Sequence, residues 1–599
     1  MAPFKRIVDL KYGNLDHWGE WNYFTYLLFQ ENTVAKEVKA KIDHWAESQS
    51  EDRMEFFKEV YYQPLSQIHF QYNRKNIEPA FKGKYISIFI AVAIIILIIA
   101  CINFMNLSTA RSTKRAREVG LRKVVGANRW KLVKQFIGES IFLAFIACIF
   151  ALIIVELLLP VFNNLSGKSL YVNYSEMGFI FSVIGLVIIT GVISGCYPAF
   201  VLSAFRPVMV LKGIPLVSAL IKGRSKGGLR NILVIFQFTI SIALIFCTII
   251  IYRQMSFIQN EDLGLNKDQI LNILLRSKNL SEKASDKKNE FLKIPGVLSA
   301  SANSYFPSNL NWNQSTWWKG QQEDERTNMW IIGVDKDFTE TLQIEMIEGK
   351  DLAKYFKATD KLAYILNESA VKQIGWSTAM GREFSIYGQQ DPGIVVGVAK
   401  DFHFRSLHHE IAPCAMVVFE GGSQISLRIN SENLSNTMDL IKNTWKKLAP
   451  NLIFEYYFLD EDFDKLYKSE TTASQVIGYF TVLSIFIACL GLFGLASFIA
   501  DQRTKEIGIR KVNGASISSI IMLLSKDFTK WIVVAFIIAC PIAWYTMNKW
   551  LQDFAYRINI NWWIFIASGA LALAIALFTV GYQAIKVAKA NPVESLRYE

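Results

Sequence analysis

Long apolar runs without a central charge dominate the pattern of hydrophobic and polar positions in this chain. Each run has roughly 17 residues or more without a charge at its centre, which is enough for a helix to cross a lipid bilayer. A Lys, Arg or Asp at the centre of such a helix would cost about 2.5–3.5 kcal/mol, and none of these runs carries one there. We therefore predict seven transmembrane helices, over Tyr85–Leu107, Phe136–Leu159, Gly178–Leu202, Ile232–Tyr252, Val476–Ala500, Trp531–Met547 and Trp562–Ile585.

A polar region, residues 253–472, separates the fourth and fifth runs. Within it, Asn367–Ile374 has a helical pattern, whereas Gly393–Val398 and Cys414–Phe419 have the pattern of buried strands. One interpretation of the aromatic-rich segment Asn311–Trp318 is a loop that binds a partner or ligand, but ordinary packing is the favoured interpretation. The predicted fold class is an α-helical integral membrane protein, about seven spans in two repeated halves, with an α+β extracytoplasmic domain.

Charge gives the predicted spans an orientation. The formal net charge is +12, and the basic residues crowd three short loops between spans, at residues 111–134, 206–230 and 503–526. Basic residues beside membrane spans mark the cytoplasmic side. This distribution indicates topology and contact with membrane lipids, and it argues against nucleic-acid binding.

A ten-residue motif occurs twice, each time shortly after a predicted span. Glu118–Ala127 and Glu506–Ala515 share the pattern E-x-G-x-R-K-x-x-G-A, and the second copy begins 388 residues after the first (506 − 118). A second pair of segments, Ala204–Val208 and Ala590–Val593, repeats around a proline at nearly the same offset. Two matches at nearly one offset indicate a duplicated membrane unit.

The motif is expected to form a helix, a break and a second helix. Gly126 and Gly514 suit a left-handed residue after a short amphipathic helix. Asn128 and Ser516 then suit the N-cap of a helix that returns into the membrane. Such an element at the membrane face presents Glu, Arg and Lys to the cytoplasm. The alternative is an interfacial helix that only anchors the turn, but anchoring alone does not require the same Glu, Gly and Arg spacing twice.

No catalytic or metal-binding pattern stands out. The chain has no G-x-x-x-x-G-K-[ST] loop, so it does not bind ATP by that route. His403, His408 and His409 lie within seven residues, but their spacing matches no standard zinc site, and surface histidines on a loop are the favoured interpretation. Six of the seven cysteines lie in predicted spans and only Cys414 lies outside them, which leaves no disulfide framework. We predict no catalytic residues, no metal and no cofactor.

The front of the chain raises a question of topology. Residues 1–84 include a polar helical pattern at Asn32–Glu47 but no signal peptide, and the basic loop that starts at Arg111 puts them on the outer side. The second half has a span, Ile232–Tyr252, that leads into its large domain, whereas the first half has no counterpart. We therefore expect a further span, or an alternative start, ahead of Met1.

Together these features resemble the MacB/FtsX-like ABC transporter permeases, in the duplicated form common in Bacteroidetes-type bacteria. The resemblance rests on the repeated motif, on three spans per half and on the large extracytoplasmic domain. Tyr62–His69 resembles the end of the family's first periplasmic domain, and Val334–Phe338 and Lys400–Phe404 resemble parts of the second. The departure from the family is at the front, where a first span and much of the first periplasmic domain are absent.

The resemblance implies a permease in the bacterial inner membrane, multi-pass, with its large domain in the periplasm. A separate cytoplasmic ABC ATPase dimer would bind the motif loops and drive movement of the periplasmic domains, a process called mechanotransmission. A periplasmic adaptor or effector is a further implied partner. The implied ATPase-coupling residues are Glu118, Gly120, Arg122, Lys123, Gly126, Ala127, Glu506, Gly508, Arg510, Lys511, Gly514 and Ala515.

Three functions remain open at this stage. The first is export or extraction of an envelope substrate, and the second is a signalling transducer that regulates a cell-wall hydrolase or senses an envelope ligand. The third is a membrane-anchored binding protein with no ATPase.

The predicted domains are a partial first extracytoplasmic domain (1–84), a first membrane unit (85–203), a cytoplasmic connector (204–231), a transmembrane helix (232–252), the large extracytoplasmic domain (253–472) and a second membrane unit (473–599).

Overall fold

The structure is a computed structural model. It describes residues 26–30, 33–48, 64–65, 83–167, 169–203, 228–304, 310, 312–321, 327–349, 362–386, 391–418 and 421–589. The second repeated pair, Ala204–Val208 and Ala590–Val593, lies outside these residues, as do most of the predicted connector and most of Tyr62–His69. The boundaries of the predicted domains stay a prediction.

The chain divides into two compact units, Met1–Ser87 and Ile88–Glu599. In the first unit, the predicted polar helix is confirmed as α1, Ala35–Ser48. The features described below belong to the second unit, apart from the first residues of helix α2, which begins at Gly83. The other helices are α2 (Gly83–Val124), α3 (Arg129–Ser166), α4 (Met177–Ser203), α5 (Gly228–Asn260), α6 (Lys278–Glu282), α7 (Ala284–Leu292), α8 (Phe338–Thr341), α9 (Glu368–Ile374), α10 (Leu434–Leu448), α11 (Leu459–Leu466), α12 (Lys468–Gln502), α13 (Thr504–Val512), α14 (Ile517–Leu551) and α15 (Trp562–Lys589).

All seven predicted spans are confirmed. Among the described residues, seven helices are long and apolar enough to cross a membrane. The sixth begins at Ile517 rather than Trp531, because the helix starts directly after its N-cap and is longer than its apolar core. The first to seventh spans run over Tyr85–Thr109, Arg129–Leu165, Met177–Ser203, Arg230–Asn260, Lys468–Ala500, Ile517–Leu551 and Trp562–Lys586.

The fourth span packs against the three spans of the second membrane unit. Its buried side chains form one apolar cluster with the fifth, sixth and seventh spans. Two hydroxyl pairs join it to the fifth span: Ser241 to Ser484 at 3.3 Å and Thr248 to Thr481 at 2.7 Å. Such pairs hold membrane helices together, because polar groups inside the bilayer have no water to bond and form hydrogen bonds with each other instead.

The first and fifth spans cross at two glycines of the fifth span. A Cβ on Gly491 would lie 2.0 Å from Asn103 Oδ1, and one on Gly494 would lie 2.1 Å from Leu107 Cδ2. The amide of Asn103 also donates to the Ile487 carbonyl at 3.1 Å. This crossing joins the two repeated halves within the membrane.

The α+β domain between the fourth and fifth spans is built on one eleven-stranded sheet, in the order β11-β1-β10-β2-β4-β3-β7-β8-β6-β9, with β5 on β8. Because β9 also pairs with β4, the last six strands of that order close into a ring. The strands are β1 (Ile270–Leu274), β2 (Val297–Asn303), β3 (Asn313–Trp318), β4 (Thr327–Val334), β5 (Met346–Glu348), β6 (Ala363–Asn367), β7 (Glu383–Ile386), β8 (Gly393–Ala399), β9 (Cys414–Val418), β10 (Gln424–Ile429) and β11 (Tyr456–Phe458).

The helix and the two buried strands that were predicted for this domain are confirmed. Helix α9 follows its N-cap Asn367, and β8 and β9 are buried strands as predicted. The aromatic-rich segment contains a strand rather than a binding loop, because Asn313–Trp318 pairs with β4 and β7. Trp318 is buried in the ring while Trp317 is exposed, which is the alternation expected of a strand.

One apolar core runs from the α+β domain into the membrane helices. It contains Val334, Phe402 and Met416 from the domain, together with Met255 from the fourth span and Met547 from the sixth. The domain therefore packs directly on the domain-side ends of the spans.

Candidate functional site

The two motif copies differ in how they leave the membrane. In the first copy, α2 continues without interruption from the first span through the motif to Val124. In the second copy, the helix ends at Gln502 and α13 begins at Thr504 after a break at Arg503, which has φ −95° and ψ 9°. The expectation of a short separate helix is right for the second copy and wrong for the first. No proline or glycine marks the break, so residue type did not reveal this difference.

The turn that follows the motif is the same in both copies, and its predicted glycine conformation is confirmed. Gly126 has φ +95° and Gly514 has φ +86°, both left-handed. The next amide, that of Ala127 or Ala515, donates to the carbonyl five residues earlier, at 2.9 Å and 3.0 Å. This is the Schellman arrangement, which satisfies the last carbonyls of a helix.

The predicted N-caps are also confirmed. The side chain of Asn128 accepts from the Trp130 amide at 3.2 Å. The side chain of Ser516 accepts from the Ser519 amide at 3.3 Å. Each cap satisfies an orphan amide at the start of the following span, so the chain turns back into the membrane within a few residues.

One side of each motif helix is buried against the other helices of the same membrane unit. Val119 packs with Leu132, Phe136 and Leu202, which come from α3 and α4. Ile507 packs with Ile520, Leu524 and Ala584, which come from α14 and α15. Val119, Leu132 and Phe136 correspond to Ile507, Ile520 and Leu524 at the repeat offset of 388. The motif glycines Gly120 and Gly508 are buried on the same side.

The opposite side of each motif helix carries a charged pair. Arg122 Nη2 lies 2.7 Å from Glu118 Oε1, and Arg510 Nη2 lies 2.8 Å from Glu506 Oε1. All four side chains are roughly half exposed. An exposed pair four residues apart stabilises a helix by only about 0.3–0.5 kcal/mol, so stability does not explain why the same pair occurs twice.

Lys123 is placed differently from the exposed pair. Its ammonium donates to the Ser203 carbonyl at 2.6 Å, at the motif-side end of the third span. Partial burial, with Arg129 nearby, lowers the pKa of Lys123. This lysine therefore fixes the motif helix to its own membrane unit. Lys511, its counterpart, is half-buried in the last turn of α13.

The three histidines were predicted to lie on a surface loop, and this was wrong for two of them. His403 is buried, and its ring contacts that of Tyr556 edge-on, with 4.6 Å between centroids. The side chain of His408 is 6% exposed. The residues that bury them come from the spans and the turn between them, which lie more than fifty residues away in the chain. The part of the chain that the structure describes has no group of three or more side chains placed to hold a metal ion.

Comparison with known proteins agrees with this arrangement. A family model described as the FtsX-like permease C-terminal region matches residues 90–207 and 478–592, which are the two membrane units with their motifs. The macrolide export ATP-binding/permease protein MacB of Syntrophobacter fumaroxidans is 29% identical over 126 residues, covering 20% of this chain and 17% of that protein. The uncharacterized ABC transporter permease YknZ of Bacillus subtilis is 21% identical over 301 residues, covering 47% of this chain and 73% of that protein.

Among solved structures, the periplasmic region of MacB from Actinobacillus actinomycetemcomitans aligns with a TM-score of 0.26 and 15% identity, over 34% of this chain and 94% of that one. The match to the MacB of Syntrophobacter fumaroxidans spans less than a fifth of that protein's length. The sequence matches and the seven spans define a multi-pass ABC transporter permease with an α+β domain outside the membrane. An FtsX-like domain is matched in each membrane unit, so the chain is similar to the FtsX/MacB-like permeases.

Proposed function

We propose that this chain couples a separate cytoplasmic ABC ATPase dimer to movement of its α+β domain in the periplasm of a bacterial cell. The observation that carries the proposal is the repeated motif helix. In both copies one side is packed into the membrane unit, while the other presents a Glu–Arg pair at the end of a span. Two such helices match the two-fold symmetry of an ATPase dimer.

The mechanism follows from how each motif helix is held. In the first copy, the unbroken helix α2 makes the motif and the first span one rigid lever, so a force on Arg122 moves the span directly. In the second copy, the helix break at Arg503 separates the motif helix from the span, so the two do not move as one rigid helix. ATP would bias the motion only through the partner, because a ligand shifts an equilibrium by its different affinity for the two states.

We propose export or extraction of an envelope substrate as the task that this motion performs. The MacB relatives carry macrolide export in their names, which supports this choice over regulation of an envelope enzyme. The two functions differ in outcome. Deletion of an exporter makes cells sensitive to its substrate, whereas deletion of a regulator changes cell-wall hydrolysis or envelope signalling with no such sensitivity.

The coupling is tested by purifying the tagged full chain in mild detergent from cells that express it naturally. Vanadate-sensitive ATP hydrolysis in the eluate is the readout, and mass spectrometry identifies the ATPase. We expect Glu118→Lys with Glu506→Lys to reduce the associated activity at least about tenfold, which corresponds to about 1.4 kcal/mol of binding free energy.

The matched control is Glu282→Lys. Glu282 pairs with Lys278, also four residues apart and exposed, but on helix α6 of the α+β domain. This variant should retain the associated ATPase. Equal losses in the control and the motif variant, or no ATPase with the wild type, would refute the coupling and leave a membrane-anchored binding protein as the alternative.

A further inference from the structure

A single loop of the α+β domain contacts several membrane segments at once. This loop, residues 400–413, connects β8 to β9, and we call it the joint loop. Its Phe402, Phe404 and Leu407 are buried in the core that also contains the domain-side ends of the spans. The loop is therefore the place where a displacement of the spans first reaches the sheet.

Hydrogen bonds fix the backbone of the joint loop to two segments next to the spans, and one of these segments is bonded to a third. The Leu407 amide donates to the Tyr467 hydroxyl at 2.6 Å, directly before the fifth span. The Leu407 carbonyl accepts from the Tyr556 amide at 3.3 Å, in the turn between the sixth and seventh spans. That turn is tied to the fourth span, because Gln254 donates to the Tyr556 carbonyl and accepts from the Ile558 amide, both at 2.9 Å.

The next residue, His408, lies between two of these segments. Its ring stacks on Phe554 of the turn, with 4.3 Å between centroids, and more distantly on Tyr467, at 6.0 Å. Nδ1 lies 2.7 Å from Ser406 Oγ, and Nε2 lies 3.5 Å from Glu470 Oε1 in the first turn of the fifth-span helix. The two side chains of this His–Glu pair are only 6% and 1% exposed.

Glu470 restrains the position of the His408 ring. Nε2 of the His408 imidazole faces the Glu470 carboxylate at a distance typical of an ion-pair contact rather than of a short hydrogen bond. The other carboxylate oxygen accepts from Ser469 at 2.7 Å. Pulling the imidazole away would remove an ion-pair contact from a carboxylate that is only 1% exposed, which costs free energy. A purely apolar contact would slide with much less cost.

We propose that His408 is the positioning residue that carries displacement of the fifth span into the α+β domain. This inference rests on the proposed function, since it identifies the contact through which ATP-driven motion leaves the membrane. When the start of the fifth span moves relative to the turn at Phe554, the His408–Glu470 pair obliges the joint loop to follow. The domain then moves with the spans instead of uncoupling from them.

Two variants separate coupling from simple packing. His408→Phe keeps an aromatic ring between Phe554 and Tyr467 but removes both polar contacts. Glu470→Gln keeps the shape of the side chain and removes its charge. The control is His409→Gln, which changes the neighbouring, half-buried histidine of the same loop.

The test is hydrogen–deuterium exchange of the full chain in lipid nanodiscs with its co-purified ATPase, compared without nucleotide and after trapping with ATP and vanadate. In the wild type and the His409 control, trapping should change exchange about tenfold in peptides over residues 402–411, which equals about 1.4 kcal/mol of opening free energy. In His408→Phe and in Glu470→Gln, exchange in peptides from the two motif copies should still change on trapping, whereas the change over residues 402–411 should vanish. A wild-type response of the loop in His408→Phe would overturn the inference.

A second measurement needs no ATPase, so it separates this inference from the proposed function. Gly491→Ala disturbs the crossing of the first and fifth spans, where the new Cβ would lie 2.0 Å from Asn103 Oδ1. We expect it to alter exchange over residues 402–411 in an otherwise wild-type chain and not in the His408→Phe background. That result supports the joint even where no ATPase binds. Equal responses in the two backgrounds, or none in either, would overturn it.

Discussion

The crossing of the first and fifth spans yields a sharp prediction about stability. Fifth-span Gly491 faces Asn103 so closely that a Cβ would lie 2.0 Å from Oδ1, 2.8 Å from Cγ and 3.2 Å from Nδ2. Real Cβ atoms essentially never lie within 3.0 Å of a non-bonded heavy atom. The substitution Gly491→Ala therefore forces the asparagine side chain out of its position, and the hydrogen bond from its amide to the Ile487 carbonyl is lost.

The size of the effect follows from three contributions. Forcing an extra methyl into a packed interface costs about 1–3 kcal/mol. The lost interhelical hydrogen bond adds about 0.6 kcal/mol, the average for such bonds in membrane proteins. Alanine recovers up to about 1 kcal/mol relative to glycine within a helix. We expect a net loss of about 1–3 kcal/mol in the free energy of unfolding.

The assay is reversible unfolding in mixed micelles, with a matched glycine on the same helix as control. A Cβ on Gly478 would meet no atom within 4 Å, so Gly478→Ala should be neutral or stabilising by up to about 1 kcal/mol. In an Asn103→Ala background the Gly491 substitution should lose most of its cost, because the obstructing side chain is gone. Equal effects of the two glycine substitutions, or an unchanged cost in that background, would refute the reasoning.

Three further outcomes are expected. Lys288→Met should cost about 3–5 kcal/mol in chemical unfolding, because buried Lys288 pairs with Asp335 and Asp337 and its loss leaves carboxylates unpaired; adding Asp335→Asn should recover part of that. Burial lowers the pKa of His403 against the opposing effect of two nearby carboxylates. Because the folded-state pKa is lowered, the stability that the neutral histidine contributes is present above about pH 6.5 and is lost as the pH falls through the folded pKa. Thermal unfolding should therefore show less acid destabilisation in His403→Gln than in the wild type. Asn128→Ala should cost about 1 kcal/mol as a lost N-cap, and an unchanged unfolding midpoint would contradict the cap.

Local rules account for much of what the sequence predicted correctly. The seven spans follow from the cost of placing charges in lipid, and the left-handed Gly126 and Gly514 follow from the ease with which glycine adopts positive φ. The caps at Asn128 and Ser516 follow from orphan amides at helix starts. Each of these depends on a few neighbouring residues, so a sequence pattern is enough to determine it.

The tertiary structure decided which charged residues are exposed and how each motif copy joins its span. Glu118 and Arg122 remain exposed while Lys123 is tied to the third span, and no local pattern separates these roles. The break at Arg503 has no residue-type signal. The burial of His408 depends on Tyr467, Glu470 and Phe554, because burial is set by segments distant in the chain. The sequence by itself thus determined the spans and the motif turns, and only the packing of distant segments decided the joint between domain and membrane.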